Sequence, residues 1–157
     1  MRLDLDIQNG SNYDCPQTEQ IEHWVSACLS ARANDTEISI RIVDETEMTN
    51  LNRLYRGQDK PTNVLSFPAD IPSELELPLL GDIVICASVI ETEARQQHKN
   101  EISHWAHMLV HGTLHLLGYD HIEESQATEM ESLEITILRK LGYTNPYESQ
   151  PYETQTH

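Results

Sequence analysis

Cysteine is scarce in this 157-residue chain: Cys15, Cys28 and Cys86 stand far apart, with no CxxC pair. An odd, scattered set argues against a disulfide framework and against a cysteine-rich zinc site. The thiols read as buried or indifferent, with Cys28, inside "WVSACLSA", as part of the core. Positive charge is also in short supply. Ten Lys and Arg face 26 Asp and Glu, a formal net charge of -16. Non-specific attraction to nucleic acid or to an anionic membrane is therefore not expected, and any nucleic-acid role needs a local cationic field. No apolar run approaches the roughly 20 residues of a membrane span. The charged, alternating start "MRLDLDIQNG" cannot act as the apolar region of a secretory signal. A soluble, cytoplasmic protein without a membrane partner is the expectation. Six glycines and seven prolines form no linker, and no repeat is visible. One domain over 1–145 is expected, with a flexible tail over 146–157 that lacks periodicity.

What is present is hydrophobic periodicity of two kinds. "RLDLDIQ" and "EISIRIV" alternate as half-buried strands do, "NVLSF" reads as a short strand, and "GDIVICAS" reads as an apolar, central one. "PQTEQIEHWVSACLSARA" puts Ile21, Trp24, Val25, Cys28 and Leu29 at helical spacing after a Pro16 start. "DETEMTNLNRLYR" places Met48, Leu51, Leu54 and Tyr55 on one side of a short helix, which Gly57 and Pro61 interrupt. "ADIPSELELPLL" reads as a loop. Helices follow over "SVIETEARQQ", over 101–117 and over 123–141. The last has Met130, Leu133, Ile137, Leu138 and Leu141 inward, basic residues late, and Gly142 as its cap. Strands and helices mix without strict βαβ alternation. The fold class is α+β: a single domain with a small mixed sheet covered by helices.

The chemistry concentrates in "HGTLHLLGYDH", residues 111–121. His111 and His115 are four apart on a helix, so they face one way about a turn apart, in reach of one ion. Gly118 permits a left-handed turn, and His121 can return as a third ligand. Three imidazoles with an open fourth position are the layout of a catalytic zinc site. The H-x3-H-x2-G-x2-H spacing is that of metzincin proteases, but those carry glutamate as general base where this chain has Gly112. Glycine has no proton acceptor, so the protease reading weakens while the metal remains. Asp120, beside a ligand, is a candidate to accept from an imidazole N–H. His104 and His107 read as partly buried helix residues, at most supports behind the ligands. The metal is read as Zn²⁺, one per chain, though nickel also suits three histidines.

A second segment, "YRGQDKPTNVLSFP", supplies cations and an exposed strand. Arg56 is the candidate for catalysis, because a guanidinium fork matches the charge that develops on a reacting phosphodiester. Lys60 and Ser66 are weaker candidates for substrate contact, each equally explicable as turn or strand chemistry.

Together, "YRGQDKPTNVLSFP", "LLGDIVIC" and "HWAHMLVHGTLHLLGYDH" resemble the bacterial YbeY family of metal-dependent endoribonucleases, over about residues 38–147. The resemblance implies a zincin-like α+β fold with zinc on His111, His115 and His121. It implies single-strand-specific cleavage of RNA, maturation of ribosomal RNA at the small-subunit 3′ end, and ribosome quality control. Arg56 falls on the family's important arginine and His111 on its important first ligand. Gly112 is the family's own residue. Single-stranded and ribosomal RNA are then the substrates, DNA is not expected, and the acidic surface calls for the small ribosomal subunit or an associated protein to deliver RNA. The nucleophile stays open between water and the RNA's own 2′-hydroxyl. The rivals are a metallopeptidase-like hydrolase and a non-catalytic ribosome-assembly factor with structural zinc.

Overall fold

The computed structural model describes residues 1–75 and 77–148. Its elements run β1 (Leu3–Asn9), α1 (Thr18–Cys28), β2 (Thr36–Val43), α2 (Glu45–Arg56), β3 (Val64–Pro68), β4 (Leu79–Cys86), α3 (Ala87–Gln96), α4 (Glu101–Leu116) and α5 (Glu124–Lys140), with a single 3-10 turn at Ser73–Leu75. The sheet order is β1-β2-β4-β3. β1, β2 and β4 are parallel, and β3 closes the edge antiparallel to β4. The result is a single mixed α+β domain, as expected. β1–α1–β2 nevertheless forms one true crossover unit, more βαβ character than the sequence suggested.

Period-two alternation sorts the strand residues to two faces. Ile38, Ile40 and Ile42 of β2 and Ile83 and Ile85 of β4 join Trp24, Trp105 and Leu109 in the main core. Val43, Leu65, Val84 and Cys86 turn the other way and bury Met48 of α2. α4 is the hub. It packs on α1, α3, α5, β3 and β4, and most of its length is buried, from His104 to Leu116. A helix enclosed on most sides must be apolar nearly all round, so its polar exceptions stand out. Asn100 caps it by accepting from the N–H groups of Ile102 and Ser103 at 2.9 and 3.3 Å.

Several boundaries and placements depart from the sequence reading. α1 begins at Thr18 and ends at Cys28. Gln17 is its N-cap, so Pro16 lies outside, while Cys28 is partly buried and packs against the main core, as expected. β4 begins at Leu79, two residues inside the supposed loop, because its edge pairs with β2. Leu54 and Tyr55 do not share the buried side of Met48. They are 73% and 61% exposed, and the Tyr55 ring meets Phe67 edge-on at 4.9 Å. α2 touches the sheet along one narrow line, so only Met48 and Leu51 of that stripe are covered. The expected tail over 146–157 lies outside the described residues from 149 onward. Its first part is tied down: Lys99 Nζ donates to the Pro146 carbonyl at 2.9 Å. Among the described residues no helix is long and apolar enough to cross a membrane.

Candidate metal centre and groove

α4 carries His104, His107, His111 and His115 toward one end of the domain. Leu117 ends the helix, and Gly118 adopts φ 102, a conformation that side-chain-bearing residues resist. Its N–H donates to the His115 carbonyl at 3.0 Å. The chain reverses there, and His121 swings back against the helix. Ring centroids lie 4.7 Å apart for His111–His115, 5.0 Å for His115–His121 and 5.6 Å for His111–His121. One nitrogen from each ring falls within 4.8 Å of the others, a spacing that suits three donors about one ion. His111 and His115 are half-buried and His121 is exposed. Burial, followed by the neighbouring His111 and His121, pushes the His115 imidazole below its ordinary value. A ring that resists protonation keeps its lone pair available to a metal.

Behind the cluster stands Glu134 of α5, fully buried. Burial alone would raise its carboxyl. The hydrogen bonds from His107 and His111, the His111 charge and the Tyr147 hydroxyl instead hold it down to about 2. His107 Nε2 lies 2.7 Å from one oxygen and His111 Nδ1 2.9 Å from the other. An ionised carboxylate only accepts, so the facing ring nitrogens carry the hydrogens. In its neutral form His111 then presents Nε2 bare, as a metal ligand needs. This fit is a property of the donor set itself. Burial holds the His107 imidazole below its ordinary value despite Glu134. His104 Nε2 meets a second carboxylate, Glu93, at 2.9 Å.

The three ligand candidates open onto a groove of about 370 Å³, walled by Arg56 and by residues 62–66 at the edge of the sheet. α2 ends at Arg56 and Gly57 takes φ 68 there, which turns the chain toward β3. Arg53 is committed to Asp59 at 2.7 Å and Arg41 to Glu47 at 2.6 Å. Arg56 pairs with no carboxylate among the described residues, so its guanidinium remains available to the groove. Ser66 lines the groove and donates its hydroxyl to the Gly112 carbonyl at 2.9 Å. Lys60 is exposed and lies outside the lining. Its carbonyl accepts from Asn52 at 2.8 Å. Among the described residues Asp120 makes no hydrogen bond to an imidazole. Its carboxylate accepts the backbone N–H of His121 at 2.7 Å, which shapes the turn.

Sequence reasoning missed Glu134, Glu93 and Tyr147. A signal for Glu134 existed: it stands among Met130, Ile137, Leu138 and Leu141 on the apolar stripe of α5, where an unpaired acid would be costly. Nothing comparable marks Tyr147.

A family model described as endoribonuclease YbeY matches residues 6–142, a span that includes Arg56 and all three clustered histidines. The solution structure of a Thermotoga maritima protein, TM1509, is similar in fold, with a TM-score of 0.61 and 24% sequence identity over 92% of this chain and 99% of that one.

Proposed function

The chain belongs to the YbeY family of endoribonucleases, and from that premise we propose that it is a zinc-dependent, single-strand-specific endoribonuclease. Membership implies a hydrolase acting on RNA phosphodiesters in ribosomal RNA processing. The finer reading is maturation of the small-subunit 3′ end, with a part in ribosome quality control. The observation that carries the proposal is the meeting of three histidine nitrogens within 4.8 Å at the floor of a groove walled by Arg56.

His111, His115 and His121 would hold the ion. When bound, a divalent ion supplies Lewis-acid charge next to the reacting phosphodiester. The chain's own residues do the rest. Arg56 offers paired N–H donors to the phosphoryl oxygens where charge accumulates. β3 is an edge strand, so its free side can support an extended ligand along the groove. Gly112 offers no proton acceptor, and Glu134 is enclosed and committed to two imidazoles and a phenol. Neither serves as a base at the groove, so the proton of the nucleophile leaves by another route. Water and the 2′-hydroxyl remain as nucleophiles, and a 2′,3′-cyclic end would identify the second. Three donors among the described residues, where a structural zinc site takes four, support catalysis over a purely structural role. The absence of glutamate at Gly112 counts against a peptidase.

The test is cleavage of an end-labelled, single-stranded ribosomal RNA fragment, with His115→Ala purified in parallel. Cutting by the natural chain alone supports the proposal. Equal cutting by both marks a contaminating ribonuclease. Stoichiometric zinc without cutting, alone or with small ribosomal subunits, sinks the enzymatic reading.

A further inference from the structure

We propose that Tyr147 is a positioning residue for the metal centre, acting through Glu134 on the ring of His111. The inference rests on the reading that His111 holds metal. Glu134 Oε1 accepts the Tyr147 hydroxyl at 2.6 Å and the His107 Nε2–H at 2.7 Å, while Oε2 accepts the His111 Nδ1–H at 2.9 Å. A glutamate carboxylate rotates freely about its last torsion when held at one point. Three donors on two oxygens fix its plane, and that plane fixes the His111 ring and its tautomer.

Tyr147 also takes the place of water. Glu134 is fully buried, although Tyr147 itself is 46% exposed. The phenol ring stands edge-on to His107 at 5.3 Å, and its hydroxyl fills a hydrogen-bonding position on Oε1. Without it, water would compete for Oε1 and loosen the whole arrangement. The segment that delivers the ring follows α5 and lies beyond residue 142, outside the span matched by the family model. The Lys99–Pro146 hydrogen bond ties it to the body of the domain, and within the segment the Tyr147 N–H donates to Asn145 Oδ1 at 2.8 Å. This short extension thus completes a network whose other members, His107, His111 and Glu134, come from α4 and α5.

The experiment has two readouts on the full chain. The first is the His111 imidazole in metal-free protein, followed by ¹⁵N NMR. The natural chain should hold one tautomer, with hydrogen on Nδ1. Tyr147→Ala should give a mixture, and Tyr147→Phe, which keeps the ring and removes only the donor, a smaller shift in the same direction. The second is zinc affinity by competition titration. Glu134→Gln should weaken it roughly 10–100-fold, the usual cost of losing the partner of a ligating histidine, and Tyr147→Ala by the lower end of that range. An unchanged His111 spectrum in both Tyr147 variants overturns the proposal whatever the affinities do. If the natural chain binds no zinc, the reading of the site as a metal centre fails, while the tautomer still decides whether Tyr147 positions His111.

Discussion

Ser66 donates its hydroxyl to the Gly112 carbonyl across 2.9 Å, pinning the edge strand β3 to the histidine helix α4. A Cβ at position 112 would lie 3.2 Å from Ser66 Oγ, 3.3 Å from Val64 Cγ2 and 3.4 Å from Ile83 Cγ2. The position where a metzincin carries its glutamate is here the contact on which the groove wall rests. Glycine is what permits strand and helix to approach so closely, and an acid there would push the wall away.

Adding one methyl at Gly112 should therefore destabilise the fold. Overpacking costs about 1–3 kcal/mol, and the better helix propensity of alanine returns about 1. Gly112→Ala is expected to lose about 1 kcal/mol in urea denaturation at unchanged slope. Gly112→Glu should lose more and gain no peptidase activity. An alanine variant as stable as the natural chain would show that β3 yields freely.

The sequence displayed the elements well because each buries a face of regular period. Ile38, Ile40 and Ile42 alternate, and Met130, Ile137 and Leu138 recur at helical spacing, whatever their partners. Pairing is another matter. Nothing in "NVLSF" states that it lies antiparallel at an edge, and nothing in Leu54 or Tyr55 states that α2 covers so little of the sheet. The ligand candidates were legible because three histidines and the turn glycine Gly118 sit within eleven residues. Their supports were not, because Glu134 and Tyr147 are brought to His111 by tertiary packing alone. Asp120 stood out as a candidate imidazole partner by its place beside His121, and the contact it makes is to the N–H of that same residue.

Removing metal should cost stability as well as activity. A ligand that binds only the folded state stabilises it by about 2.7 kcal/mol at a hundred times its dissociation constant. Chelation is expected to lower the Tm of the natural chain and to leave that of His115→Ala where it was. His111→Ala and His121→Ala should likewise lose stoichiometric zinc by elemental analysis. A Tm indifferent to both zinc and chelator would remove the metal from the account.

Arg56 is expected to act on turnover and not on metal. Arg56→Ala should reduce kcat for RNA about 10²–10³-fold, the usual cost of losing one donor to developing charge. Zinc binding should stay as it was, since no hydrogen bond joins Arg56 to the clustered histidines. Lysine offers a point charge in place of a planar fork, so Arg56→Lys should restore only a small part. Full activity in the lysine variant would reduce Arg56 to general electrostatic attraction.

The Glu93–His104 pair should make part of the stability depend on pH. Burial pushes the Glu93 carboxyl up, but the hydrogen bonds from His104 and Asn63, with the charges of His104 and Lys99, bring it below the ordinary range. A depressed folded value means a contribution fully present above the unfolded value, about 4.3 for glutamate, and lost as pH falls through the folded one. Glu93→Gln should therefore be less stable than the natural chain at neutral pH. The gap between the two should close as pH drops below about 4. The consequence reaches the groove. Asn63 Nδ2 donates to Glu93 at 3.2 Å, and the Asn63 carbonyl accepts from the Cys86 N–H at 2.9 Å. Glu93 thus holds the residue at the start of the β3 wall, beside the histidines. Chemical denaturation of both proteins across the acid range checks the sign. A gap that stays constant from neutral pH to below 4 would assign Glu93 a packing role, with its charge contributing nothing.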